Sequence, residues 1–143
     1  MERKFSQIAR LLRGLTYSPS DVQKAGVRVL RSSNICNDSF VLGDDDVFVR
    51  ESAVNIEKVE DGNILITAAN GSSRLVGKHA IVKGVDNFVH GGFMLLAKAD
   101  NPYFLHASMS SSWYRSFINI FVSGGNGAIG NLRLTDLDCQ AVP

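Results

Sequence analysis

The chain has 143 residues, 45% of them hydrophobic and 20% charged, and its formal net charge is +1. That length builds one domain with a sizeable core, and the composition excludes a disordered chain. No apolar run approaches the roughly 20 residues of a membrane span, and near-neutrality excludes binding of a polyanion through bulk charge.

Phe5, Ile8, Ala9, Leu12 and Leu15 fall at helical spacing, with Arg3, Lys4, Arg10 and Arg13 mostly off the stripe. This predicts an amphipathic opening helix ending near Gly14. The same stretch lacks the apolar core and cleavage site of a signal peptide. Cys36 and Cys139 are too far apart to suggest a disulfide framework or a zinc site. A cytoplasmic protein with no membrane association is the expectation.

Ser18-Pro19-Ser20-Asp21 reads as a turn and cap before one short helical turn, and Val27, Val29 and Leu30 mark a strand. Ser32-Ser33-Asn34 is its polar exit, and Asn37-Asp38 a turn before Phe40, Val41 and Leu42. Gly43-Asp44-Asp45-Asp46 reads as a solvated acidic turn. Its adjacent carboxylates diverge, and no second acidic cluster has metal-ligand spacing. Val47-Phe48-Val49 is another short strand, and Asp61-Gly62 turns the chain into residues 63–82.

That stretch is the centre of the reading. Ile64, Leu65 and Ile66 form a buried strand, residues 68–74 a small polar loop, and Ala80, Ile81 and Val82 end a second strand. Gly71 lets backbone approach a phosphate, Ser72 and Ser73 offer hydroxyls, and Arg74 and Lys78 supply charge. The alternative is a plain hairpin with its polar tip in water.

Residues 84–87 form a turn, after which Val89-His90-Gly91-Gly92 leads into Phe93, Met94, Leu95 and Leu96, buried by continuity. Asn101 and Pro102 start the longest helix, with Leu105, Met109, Trp113 and Phe117 at i+4 steps and Tyr114, Ile118 and Phe121 beside them. That stripe reads as core packing, and Ser123-Gly124-Gly125-Asn126-Gly127 ends it. Residues 132–142 read as a turn around Thr135-Asp136 and a last short strand.

Charge is segregated along the chain. Residues 1–35 hold seven Lys/Arg against two acids, residues 36–66 two against eight, and residues 67–133 six against two. A basic face opposite an acidic belt is one arrangement consistent with this.

The enzyme motifs fail on context. The GxGxxG match at 125–130 follows a helix and leaves too little chain for a βαβ unit. Asn101-Pro102-Tyr103-Phe104 resembles the Asn-Pro-Pro-Tyr/Phe tetrapeptide of adenine methyltransferases, but lacks the second proline and an S-adenosylmethionine loop. His79, His90 and His106 lie in separate elements, and no serine sits in a GxSxG elbow. Nothing reads as an enzyme.

In order, the landmarks are Gly14-Leu15-Thr16-Tyr17, residues 26–35 (a glycine, an apolar strand, then Arg31-Ser32-Ser33-Asn34-Ile35) and Asp61-Gly62-Asn63-Ile64-Leu65-Ile66. Then follow Asn70-Gly71-Ser72-Ser73 through Val76-Gly77-Lys78, Pro102-Tyr103-Phe104-Leu105 with Ser112-Trp113-Tyr114-Arg115, and residues 131–143. The ordered set, from about residue 8 to 143, resembles a target recognition domain of the specificity subunit of type I restriction–modification systems.

The resemblance implies a compact α+β domain, 1–143, with a mixed twisted sheet and flanking helices. Such a subunit has two of these domains joined by long helices, and this chain stops where the first long helix would start. It reads as a half-subunit, a fragment or a free-standing domain. The implied role is sequence-specific recognition of double-stranded DNA for a partner methyltransferase (modification) subunit that carries S-adenosylmethionine. Cleavage belongs to a restriction subunit, and the chain itself is expected to hold no cofactor or metal and do no chemistry.

Base edges are matched by Arg or Lys at guanine, Asn or Gln at adenine, and Ser or Thr at several positions. On that chemistry Arg31, Asn34, Asn70 and Arg74 are the candidate base readers, and Ser72, Ser73 and Lys78 the phosphate contacts. Ser33, His90 and Asn126 complete the candidate DNA-binding set. The competing readings are an ion pair for Arg31, turn chemistry for Asn34 and Asn126, and a packed or solvent histidine for His90. Two other functions compete: a protein-interaction module using the Phe5/Ile8/Leu12 face, and a small-ligand pocket lined by Trp113, Tyr114 and Phe117.

Overall fold

A computed structural model describes residues 2–123 and 130–143. In chain order the elements are β1 (Arg3–Lys4), α1 (Phe5–Ile8), β2 (Ala9–Arg13), β3 (Val22–Gln23), β4 (Val27–Leu30), β5 (Ile35–Cys36), β6 (Ser39–Phe40) and β7 (Val47–Val49). They continue with β8 (Ile64–Thr67), β9 (His79–Ile81), β10 (Phe88–His90), β11 (Met94–Ala99), α2 (Pro102–Ser108), α3 (Ser112–Ile118), α4 (Leu134–Asp138) and β12 (Ala141–Val142).

Two four-stranded sheets and a set of short helices make an α+β fold. The first sheet runs β2-β11-β8-β9 and is antiparallel throughout. The second runs β10-β4-β7-β3 and is mixed, with β10 parallel to β4 and the other pairs antiparallel. The mixed sheet expected from the resemblance is therefore one of two four-stranded sheets, with β1-β12 and β5-β6 as two-stranded additions.

Alternation along β8 and β11 explains their continuous apolar sequences. Ile64 and Ile66 with Leu95 and Ala97 join a core of helical residues, Leu105, Met109, Tyr114 and Phe117 among them. Leu65 with Met94 and Leu96 points the other way, onto Leu30 and Phe88 of the mixed sheet. A strand buried on both faces needs apolar residues at every position. The outer face of the mixed sheet is closed by a third cluster of Leu15, Val27, Val29, Val49 and Val89.

The opening stretch departs from its helical expectation. Only Phe5–Ile8 is helical, and Ala9–Arg13 is a strand paired along β11 from Ala9↔Ala99 to Arg13↔Leu95. The apolar spacing satisfied both periods. The open edge of β11 decides between them, because its backbone donors and acceptors need partners. Gly14 then passes so close to the β10–β11 turn that a Cβ there would lie 1.8 Å from the Gly91 oxygen.

The long C-terminal helix is broken into α2 and α3. Asn101 caps α2 by accepting from Phe104 N at 3.3 Å, which accounts for the Asn-Pro pair without chemistry. The break falls where serines cluster: Ser111 Oγ donates to the Ser108 carbonyl at 2.6 Å, and Trp113 Nε1 to Ser108 Oγ at 2.9 Å. Serine side chains that bond local backbone compete with helix continuation. Tyr114 and Phe117 are core residues and Trp113 is half-buried, so the aromatic stripe packs the domain. Residues 134–138, expected as a turn, form the short helix α4, and the last strand pairs with β1. No helix among the described residues is long and apolar enough to cross a membrane.

Candidate nucleic-acid interface

The acidic belt does not stand opposite a basic face. It meets the early cations directly, in ion pairs Arg10–Glu57, Arg28–Asp46 and Arg31–Asp45, and Asp21 pairs with Arg50. Nor is the acidic turn wholly solvated, because the Asp46 side chain is only 1% exposed. Its carboxylate accepts from Gly43 N, Asn34 Nδ2 and Arg28 Nη1. Burial alone would raise its pKa, but those three donors hold it below the ordinary carboxylate value.

Three loops converge at one place. The chain leaves β4 through a 3-10 turn, Ser32–Asn34, which Asn34 locks from inside. Asn34 Oδ1 accepts from Arg31 N at 2.8 Å, while Nδ2 donates to the Val41 carbonyl at 2.9 Å and to Asp46 Oδ1 at 3.0 Å. The loop after β8 is tied to the β10–β11 turn, since Ala68 N and Ala69 N both donate to the Phe93 carbonyl, at 2.9 and 3.0 Å. Asn70 then joins the first two loops. Its Oδ1 accepts from Ser72 N and its Nδ2 donates to Ser32 Oγ, each at 2.9 Å.

Beyond Ser72 the chain crosses a 3-10 turn, Ser73–Leu75, into a depression of about 360 Å³ lined by Arg74, Lys78 and Arg115. The Tyr114 hydroxyl at its floor donates to the Gly77 carbonyl at 2.6 Å. Gly77 has φ +95°, a backbone conformation that favours glycine, and a Cβ there would also push the Ile118 side chain aside. His79 and His106 sit beneath, their Nδ1 atoms 2.7 Å apart and therefore sharing one proton. Burial first, and then His106, pull the His79 pKa down to about 4. The pair is neutral near pH 7. Among the described residues no ion pair engages Arg74, Lys78 or Arg115, though Asp38 lines the same depression.

The sequence candidates divide accordingly. Arg31, Ser33, Asn70 and Ser72 stand at the loop junction, and Arg74 and Lys78 on the depression, with Ser73 between. Arg31 keeps 35% of its side chain exposed while Nη2 donates to the Asp45 carbonyl at 2.8 Å. Asn34 and His90 are corrections. Asn34 is fully buried with its amide committed inside, so it shapes the turn and presents nothing at the surface. His90 is also fully buried, its Nε2 donating to the Leu12 carbonyl at 2.9 Å, and burial lowers its pKa; it is a core histidine. Asn126 and the GxGxxG match at 125–130 fall on or across residues outside the described ones.

Arg115 and Phe93 were missed by the sequence reading. Arg115 sits on the polar side of the α3 stripe, a signal that one more turn of helix bookkeeping would have found. Phe93 was read into the buried run after it, yet it is 74% exposed. The glycine pair directly before it was the available sign that the strand had not begun.

No protein-family model matches the chain. It is 27% identical over 146 residues to the type I restriction enzyme StySPI specificity subunit of Salmonella potsdam, an alignment covering 96% of this chain and 31% of that subunit. Among solved structures, a chain from a type I restriction–modification assembly superposes with a TM-score of 0.64 at 9% identity, covering 99% of this chain and 33% of that one. The HsdS subunit from Thermoanaerobacter tengcongensis gives 0.62 at 8% identity, over 100% of this chain and 32% of its own. The S subunit from M. genitalium gives 0.55 at 14% identity, over 99% and 33%. The chain thus spans about a third of each of these proteins, shares their fold, and is similar to a target recognition domain of a type I specificity subunit.

Proposed function

We propose that this chain reads a short sequence in double-stranded DNA, doing no chemistry itself, as the target recognition domain of a type I restriction–modification system. The observation that carries this reading is the convergence of three loops on rigid sheet ends, beside a depression whose cations make no ion pair among the described residues, in a chain similar over nearly its full length to a specificity subunit. Arg31, Ser33, Asn70 and Arg74 are suited to base edges. Ser72, Ser73, Lys78 and Arg115 are suited to phosphates, which position the protein without reading it. A modification subunit carrying S-adenosylmethionine and a restriction subunit would be its partners.

The rival protein-interaction reading loses its main support, because Phe5 is fully buried and Ile8 and Leu12 pack against the core. Selection from a randomised duplex library at about 50 and 200 mM salt tests the proposal. The expected result is enrichment of a motif of about three or four base pairs, with retention falling steeply at the higher salt. Salt-insensitive retention, or none at low salt, overturns it.

A further inference from the structure

Phe93 has the highest exposure of the large hydrophobic side chains among the described residues, and folding does not require it there. Its neighbour Met94 is the first core residue of β11, at 2% exposure. The backbone under the ring is held on two sides. Its carbonyl takes both Ala68 N and Ala69 N, and Gly91 before it is pressed onto β4, where a Cβ would sit 3.2 Å from Val29 and 3.3 Å from the Leu30 oxygen. The backbone that carries the ring is held in place, so a contact made by it would not have to order the chain.

The loop bonded to the Phe93 carbonyl is polar beyond Ala69. Asn70 follows immediately on the strand of chain bonded to Phe93, and Asn70 in turn holds Ser32 beside Arg31. An exposed apolar ring carried next to such a loop on a DNA-reading surface has one apolar target in the major groove, the C5-methyl group of thymine. Asparagine is matched to adenine, whose partner thymine carries that methyl in the same groove. We propose that Phe93 is a specificity-determining residue that contacts a thymine methyl at or next to the base pair read by Asn70. This rests on the DNA-reading function proposed above.

The experiment uses the full chain and the duplex enriched from the randomised library, with each thymine replaced in turn by uracil. Removing the contacted methyl should weaken wild-type binding about fourfold, the factor for one buried methyl-sized group. Phe93→Ala should bind the thymine duplex about tenfold more weakly and should lose the discrimination between thymine and uracil at that position. Phe93→Leu, which keeps an apolar contact, should retain part of it. The exposed position means that all three proteins should melt together.

If thymine-to-uracil replacement affects wild type and Phe93→Ala equally at every position, or if Phe93→Ala binds the selected duplex unchanged, the assignment fails while DNA reading stands. If no motif is enriched at all, DNA reading fails with it.

Discussion

Two groups of cations in this domain behave differently. Arg10, Arg28, Arg31 and Arg50 each face an acid, and one of those pairs, Arg28–Asp46, is largely buried. Arg74, Lys78 and Arg115 face a shared depression and have no ion pair among the described residues. Four of the chain's 14 acids are engaged by the first group, and a net charge of +1 coexists with a local positive surface. For a polyanion partner the local arrangement matters more than the sum, since screening limits exposed charges to about 10 Å.

Breaking the paired group should give the largest effect. Asp46→Ala leaves Arg28, Asn34 Nδ2 and Gly43 N without their acceptor in a largely buried place. It should lower stability by about 3 kcal/mol, read as a shift of the urea midpoint. A shift under about 1 kcal/mol would make the acidic turn ornamental.

Acid should act next, through the histidines under the unpaired group. The His79 pKa is about 4 in the folded chain against an ordinary 6.5, so between those values the unfolded chain binds the proton and the folded one does not. Stability is therefore full above pH 6.5 and falls as pH drops through the window, by up to about 1.4 kcal/mol per unit, levelling below pH 4. Urea midpoints measured at pH 7.5 and 5 should differ in wild type and differ less in His79→Phe, the remainder coming from His90 and His106, whose pKa values burial also lowers.

Removing the unpaired cations should change stability least and binding most selectively. Arg74→Ala and Arg115→Ala should unfold with wild type, yet each should weaken duplex binding severalfold and reduce the salt slope by about one. Arg10→Ala, which loses only an exposed pair, should leave both measurements unchanged. Equal effects from Arg10→Ala and Arg115→Ala would erase the distinction between the two groups.

Much of this fold was legible in the sequence because local chemistry and packing agree. The strands at 27–30, 47–49 and 64–67, the Asn37-Asp38 turn and the Asn101 cap all lie where residue types alone put them. The misreadings have one cause. At residues 9–13, 93 and 109–111, the outcome depends on a partner distant in sequence or on side-chain bonds to backbone, and hydropathy records neither. The site was legible in the same proportion. Arg31, Asn70 and Arg74 could be chosen by chemistry and lie at the converging loops or the adjoining depression, whereas Asn34 and His90 looked like loop and rim residues. Burial is decided by what folds over a residue, and here β6, the acidic turn and β2 do so.

Asn34 carries one more consequence. Because a single hidden amide fixes the path of the turn, with Asp46 behind it, the outward residues around it have little structural duty. Ser33, Gly71 and Ser73 are exposed and a Cβ at Gly71 meets nothing within 4 Å. Such positions can be rewritten at small cost to the scaffold. The surface and its support are uncoupled, which makes this a frame on which new specificities can be selected without first finding a new way to fold.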